Sequence, residues 1–172
     1  MAHRLACELS DTIAAAASVM ITLPKGFPDT LQPSEPVPFL LIQGDEDPFF
    51  PWEGGTVQQG PYRQSEYMSA ADTVAFWVSA NGANTLPVVD SLPDQDPCDG
   101  TRVYRETYSG GVSGADILFY RVQGGGHTWP GSNKGLLEKL TSTGRVSNDF
   151  SASYAIWDFC ASHQKPHQNS IY

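Results

Sequence analysis

Gln123-Gly124-Gly125-Gly126-His127-Thr128-Trp129-Pro130-Gly131 follows directly on Ala115-Asp116-Ile117-Leu118-Phe119-Tyr120-Arg121-Val122. The second of these stretches is apolar and alternating, and it reads as a strand. A strand that runs into three glycines and then presents a histidine is an unusual arrangement. The glycines free the backbone to turn sharply and let another segment or a ligand approach closely. The histidine then stands at the strand's end, where α/β enzymes keep their chemistry. A glycine-rich turn carrying a surface histidine satisfies the same pattern, so the rest of the chain bears on the choice.

Outward from this stretch, the chain alternates between helices and strands. Ala2 to Ala17 reads as a helix, with Leu5, Leu9 and Ile13 on one stripe. Ser18 to Leu23 is a short apolar run that suits a strand. Pro24 to Pro38 is a proline-rich loop. Val37-Pro38-Phe39-Leu40-Leu41-Ile42 is continuously apolar, as expected of a central parallel strand buried on both faces. It ends in the acidic turn Gln43-Gly44-Asp45-Glu46-Asp47-Pro48, and Phe49 to Tyr62 is loop. Ser65 to Asn81 reads as a helix, with Tyr67, Ala71, Val74, Trp77 and Val78 on one side and Asn81-Gly82 as its stop. Leu86 to Asp99 reads mostly as loop. Arg102 to Tyr108 alternates like an exposed strand. Gly131 to Asn148 reads as a polar loop. Ser151 to Ser162 is the last helix, with Ala155, Ile156 and Phe159 inward and Trp157 beside them, and the tail after His163 is expected to fray. This alternation argues an α/β fold with a largely parallel sheet.

The 172 residues suffice for one domain with a core, and 40% hydrophobic against 17% charged residues indicates a globular chain. A net charge of -9 argues against nucleic acid and anionic membrane surfaces as partners. No run of about 18 apolar residues is present, so no membrane helix is expected. The first eight residues lack the charged-then-apolar order of a signal peptide. Cys7, Cys98 and Cys160 are too few and too scattered for a disulfide framework or a zinc site.

An acid after one strand and a histidine after a later one form a recognisable pair. The carboxylate fixes the imidazole's tautomer and stabilises its charged form, and the imidazole serves as general base. Asp47 before His127 fits the last two places of the Ser, Asp, His order of α/β-hydrolases. Asp45-Glu46-Asp47 also reads as a solvated acidic turn.

The segments Ala2-His3-Arg4-Leu5-Ala6-Cys7-Glu8, Gly44-Asp45-Glu46-Asp47-Pro48, Trp52-Glu53-Gly54-Gly55, Phe76-Trp77, Asn81-Gly82 and Gly124-Gly125-Gly126-His127-Thr128-Trp129-Pro130-Gly131 resemble the polyhydroxybutyrate depolymerase and feruloyl esterase family of α/β-hydrolases. The resemblance runs from Met1 to about Phe159. It implies an α/β-hydrolase-like sheet, mostly parallel and flanked by helices. It also implies hydrolysis of a small-molecule or polymeric carboxylic ester without a cofactor, with Asp47 as the triad acid and His127 as the base. Secretion is a further implication, although the chain shows no signal peptide.

The chain departs from the family in two respects. In the family a Gly-x-Ser-x-Gly elbow comes immediately before the segment matching Met1-Ala2-His3, and no such motif occurs in these residues. The expectation is therefore a single partial domain, 1–172, equivalent to the C-terminal half of such a hydrolase and lacking the serine and the oxyanion donors around it. Family members also often carry two cysteines where this chain has Ala83 and Gly110 or Gly111, so that bridge is not expected.

Substitute nucleophiles are Cys7, which reads first as a small core residue, and Ser10, Ser18 and Ser113, which have no motif behind them. A metal on His3 and His127, or on Asp45 and His127, lacks the usual ligand spacing, and none is expected. Trp52 and Trp129 either line an aromatic or acyl pocket or pack as ordinary residues. A second reading is a catalytically silent remnant that binds a ligand or assembles with itself. A third is a fragment of a longer parent protein. An unpaired strand edge near Ser18 to Leu23 would favour a homodimer or higher oligomer.

Overall fold

In the computed structural model, which describes residues 1–58, 60–61, 64–132 and 142–165, one five-stranded sheet carries helices on both faces. Its strands are β1 (Ala16–Val19), β2 (Phe39–Gly44), β5 (Val88–Ser91), β6 (Arg102–Tyr108) and β7 (Ile117–Gln123), in the order β1-β2-β7-β6-β5. A separate two-stranded antiparallel hairpin joins β3 (Gly55–Gln58) to β4 (Gln64–Tyr67). The helices are α1 (Ala2–Glu8), the single turn α2 (Phe27–Thr30), α3 (Ala70–Asn81) and α4 (Ala152–Ala161).

The sheet is half parallel, not mostly so. β1 with β2 and β2 with β7 are parallel, whereas β7 with β6 and β6 with β5 are antiparallel. Short connections through Gly100 and Gly110-Gly111 allow only antiparallel neighbours; a parallel return needs a crossover of a dozen or more residues. The long segments on either side of β2 and α3 supply the parallel pairs.

Alternation along β2 and β7 divides the core into two layers. Phe39, Leu41, Ile117 and Phe119 meet Ala6, Cys7, Val74 and Trp77 from α1 and α3. Leu40, Ile42, Tyr120 and Val122 meet Ala152 and Phe159 from α4. All six residues of β2 are buried, as its continuous apolar run predicts.

The side chain of Asn81 ties these parts together. It accepts from the Val37 N–H and donates to the carbonyls of Val37 and Ala115, just ahead of β2 and β7. Gly82 then ends α3 in the left-handed region at φ 63°, and Ser69 caps its start by accepting from the Asp72 N–H.

Several elements differ from the sequence reading. α1 is one short helix, and its buried residues are His3, Ala6 and Cys7; Leu5 and Leu9 are partly exposed. Small residues let the helix approach the sheet closely, so the leucine stripe is not the packed face. β1 begins at Ala16 and stops before Met20, whose φ of 54° breaks the extended run. Tyr67 belongs to β4, and α3 starts after the Ser69 cap. β5 lies inside the stretch read as loop, with every residue exposed. Trp157 is 71% exposed on α4. The polar loop after Gly131 falls partly outside the described residues, and the fraying tail falls mostly outside them.

Candidate functional site

The acidic turn after β2 and the glycine turn after β7 lie side by side because β2 and β7 are parallel neighbours. The turns are laced together by the backbone. The Glu46 N–H donates to the Gly125 carbonyl, and Asp45 accepts from the Gly124 N–H at 2.6 Å. Gly124 takes φ +75°, and a Cβ there would also strike the Gly100 carbonyl. A Cβ on Gly126 would fall on the Thr143 carbonyl and the Gly144 Cα. Gly126 is thus explained by how closely the 143–145 segment crosses the turn, and a Cβ on Gly125 would strike Val122. Arg145 pins that segment with a 2.8 Å bond to Glu46, while its carbonyl accepts from the Gly126 N–H and the Thr128 hydroxyl.

Asp47 and His127, predicted as acid and base, are brought together: Asp47 Oδ2 lies 2.9 Å from His127 Nδ1. The Asp47 side chain is fully buried and that of His127 is 36% exposed. Asp47 Oδ1 accepts from the backbone N–H groups of Phe49 and Phe50, at 2.8 and 2.9 Å. A buried carboxylate is tolerable only when its lone pairs are so engaged. The Phe50 ring stacks on the imidazole and the Phe49 ring meets it edge-on, with centroids 5.6 and 5.2 Å away. Nδ1 facing a carboxylate acts as donor, which leaves Nε2 as the basic nitrogen. Among the described residues Nε2 has no hydrogen-bond partner. His127 lines a cavity of about 180 Å³ with Val19, Met20, Thr128, Trp129, Ser132, Thr143 and Val146.

The other predicted residues divide. Trp129 lines this cavity, and its indole N–H donates to Ser153 of α4. Trp52 does not line it. Trp52 stacks on Phe119 beneath the Arg121 guanidinium, on the α1/α3 face of the sheet. Asp45 is a brace of the glycine turn, 3.5 Å from Arg121.

None of the substitute nucleophiles lines the His127 cavity. Ser113 precedes β7 and lies at the other end of the sheet. Ser10 is buried against Ser34, and the Ser18 hydroxyl donates to the Ile21 carbonyl. Burial, with the charge of Glu8, pushes the Cys7 thiol up to about 11, so its thiolate is scarce at neutral pH. His3 is unsuited to a metal, because Nδ1 accepts from the Trp77 indole and Nε2 faces the Ile21 carbonyl at 3.3 Å. Burial above all pulls its pKa to about 4, so the ring is neutral.

Three features escaped the sequence reading. Gln43 is fully buried in β2, and its amide nitrogen reaches Asp47 Oδ2 at 3.4 Å and the Phe50 carbonyl at 3.2 Å. A glutamine ending an otherwise apolar buried run was the available signal. Met20, with φ in the left-handed region, lines the cavity while its sulfur accepts from the Gly44 N–H; a bulky residue at positive φ marks a strained position. Thr143 contributes a buried hydroxyl without a partner among the described residues.

No family model matches the chain. Over 163 residues, 87% of the chain, it is 35% identical to the protein named "Putative esterase NocK" from Nocardia uniformis subsp. tsuyamanensis. Over 129 residues, 74% of the chain, it is 29% identical to "Feruloyl esterase B" from Piromyces equi. These matches cover 47% and 22% of the two proteins, so the chain spans about half the length of one and under a quarter of the other. The similarity is to proteins bearing an esterase's name.

Proposed function

We propose that this chain carries the acid–base half of a carboxylic ester hydrolase of the α/β-hydrolase type. The observation that carries the reading is the 2.9 Å contact between a fully buried Asp47 and His127 Nδ1, with the rest of the imidazole at a cavity. Asp47, held by two backbone N–H groups, accepts a hydrogen bond from the Nδ1–H of His127. That fixes the tautomer in which Nε2 carries the lone pair. Nε2 removes a proton from an attacking hydroxyl or water, and Asp47 stabilises the imidazolium that results. The esterase names of the relatives support the bond class. The size of the cavity and the Trp129 wall favour a small or aromatic acyl group, in keeping with a polyhydroxybutyrate depolymerase or feruloyl esterase type of substrate.

The nucleophile is unidentified; the family resemblance implies a serine of a Gly-x-Ser-x-Gly elbow, which in the family comes immediately before the segment matching Met1-Ala2-His3. In support, the first turn of α1 lies at the same end of the sheet as His127: His3 reaches the carbonyl of Ile21, just past the end of β1. On its own the chain would activate water and turn over slowly, because stabilising the oxyanion usually lowers the barrier more than any other single effect.

Hydrolysis of a short-chain nitrophenyl ester by the wild type, His127→Ala and Asp47→Asn tests this. The wild type should hydrolyse the ester measurably, and both variants should lose roughly a hundredfold or more, the low end of general-base catalysis. Equal rates in all three, or no rate above buffer, would replace the reading with that of a ligand-binding or self-assembling remnant.

A further inference from the structure

A second cavity, of about 460 Å³, lies away from His127 between the flank of α3 and the sheet. This size falls within the roughly 300–1,000 Å³ of small-molecule sites. Its floor is Phe119 of β7 with Glu106 and Tyr108 of β6, which share a face by the register Glu106 to Phe119 and Tyr108 to Ile117. Its wall is Val74 and Val78, with Ala71 and Ala75 too small to fill the space, and Trp52 closes one end. α3 packs chiefly on β2 and β7, and the groove opens between it and β6.

One charge stands in this apolar groove. Glu106 Oε2 accepts from the Tyr108 hydroxyl at 2.7 Å, and no ion pair reaches Glu106 among the described residues. The nearby cations are committed elsewhere. Arg105, next along β6, points to the opposite face and pairs with Asp90. Arg121, one rung away on the same face, faces Asp45 and lies over the Trp52 and Tyr104 rings. Burial, helped by the charge of Glu106, pushes the Tyr108 hydroxyl up, so it stays protonated as the carboxylate's donor. A half-buried carboxylate in an apolar groove gains most from a cation whose body is itself apolar, because such a ligand loses little hydration on entry. The adjoining Tyr108 ring attracts the same charge.

We propose that this groove is a binding site for a small organic cation, an aryl- or alkyl-ammonium, with its ammonium on Glu106 and its apolar body along Val74, Val78 and Phe119. The site is separate from Asp47 and His127 and does not depend on their role.

The test titrates 4-phenylbutylammonium and its neutral counterpart 4-phenylbutan-1-ol into the full chain, followed by amide chemical shifts. The expected result is shifts at Val78, Gly82 and Phe119, with the ammonium bound about tenfold or more tighter than the alcohol. Glu106→Gln should erase that preference while leaving the alcohol's affinity within about twofold. Ala75→Trp, a substitution at an exposed helix position, should block both ligands. Unchanged circular dichroism would show that both variants fold. Equal affinity for ammonium and alcohol, a preference that survives Glu106→Gln, or shifts elsewhere than the groove would overturn the proposal.

Discussion

His3 shows how one buried side chain writes a pH dependence into the molecule. It is stacked on Phe39 with centroids 4.8 Å apart, accepts from Trp77 and is 4% exposed. In the unfolded chain its pKa returns to 6.5, against about 4 in the fold. The unfolded state therefore binds a proton that the fold refuses. His3 leaves stability untouched above pH 6.5, draws it down as pH falls toward 4, and costs about 3 kcal/mol by that point. Urea unfolding at pH 8 and pH 4.5 should show this loss in the wild type, and His3→Phe should flatten it. Equal losses in the two proteins would mean that carboxylates alone set the acid sensitivity. The sequence offers no hint of this role. His3 and His127 look alike as letters; what separates them is Trp77, brought in from α3, and Asp47, brought in from β2.

At the scale of elements, the glycine turn after β7 is held by crossing segments and has little freedom of its own. Gly126→Ala should place a methyl group against the Thr143–Gly144 backbone and cost about 1–3 kcal/mol, the usual range for overpacking, with ester turnover lost along with the placement of His127. A urea midpoint beside the nitrophenyl ester rate checks both halves; a variant as stable and as active as the wild type would mean that the 143–145 segment yields freely. Elements with a strong pattern were legible: β2 from its unbroken apolar run, β7 from its alternation, α4 from its spacing and α3 from Val74 to Gly82. β3, β4 and β5 were not, because a strand of four residues with little buried surface has no period to read. α1 misled in another way. Alanine and cysteine can bury more completely than leucine when a helix lies close to a sheet, so hydrophobicity picked the wrong stripe. Within the site, the two acidic and basic turns were legible, but Gln43, Phe49, Phe50 and Thr143 join them only through contacts made by the fold.

For the whole molecule, β1 is one of the two edges of the sheet, β5 being the other, and no strand pairs with its outer side among the described residues. Ala16 and Met20 donate toward β2, so alternation turns the N–H groups of Ala17 and Val19 outward. An edge of this kind pairs readily with another chain, and we expect a dimer joined along β1. Light scattering after size exclusion should give twice the chain mass at high concentration, and Ala17→Pro should return the monomer, because proline is tolerated where the N–H faces outward. A monomer at every concentration would refute edge pairing.

The division of the sheet into parallel and antiparallel halves also fixes an order in time. β5, β6 and β7 meet through short connections and can close early, at small entropic cost. β2 joins β7 by pairing Phe39 with Ile117, across almost half the chain. Asp47 rides on β2 and His127 on β7, so their contact belongs to the late, non-local step of folding. Refolding should therefore restore the β5–β7 meander before it restores the Asp47–His127 pair, and conditions that slow chain collapse should delay the second event more than the first.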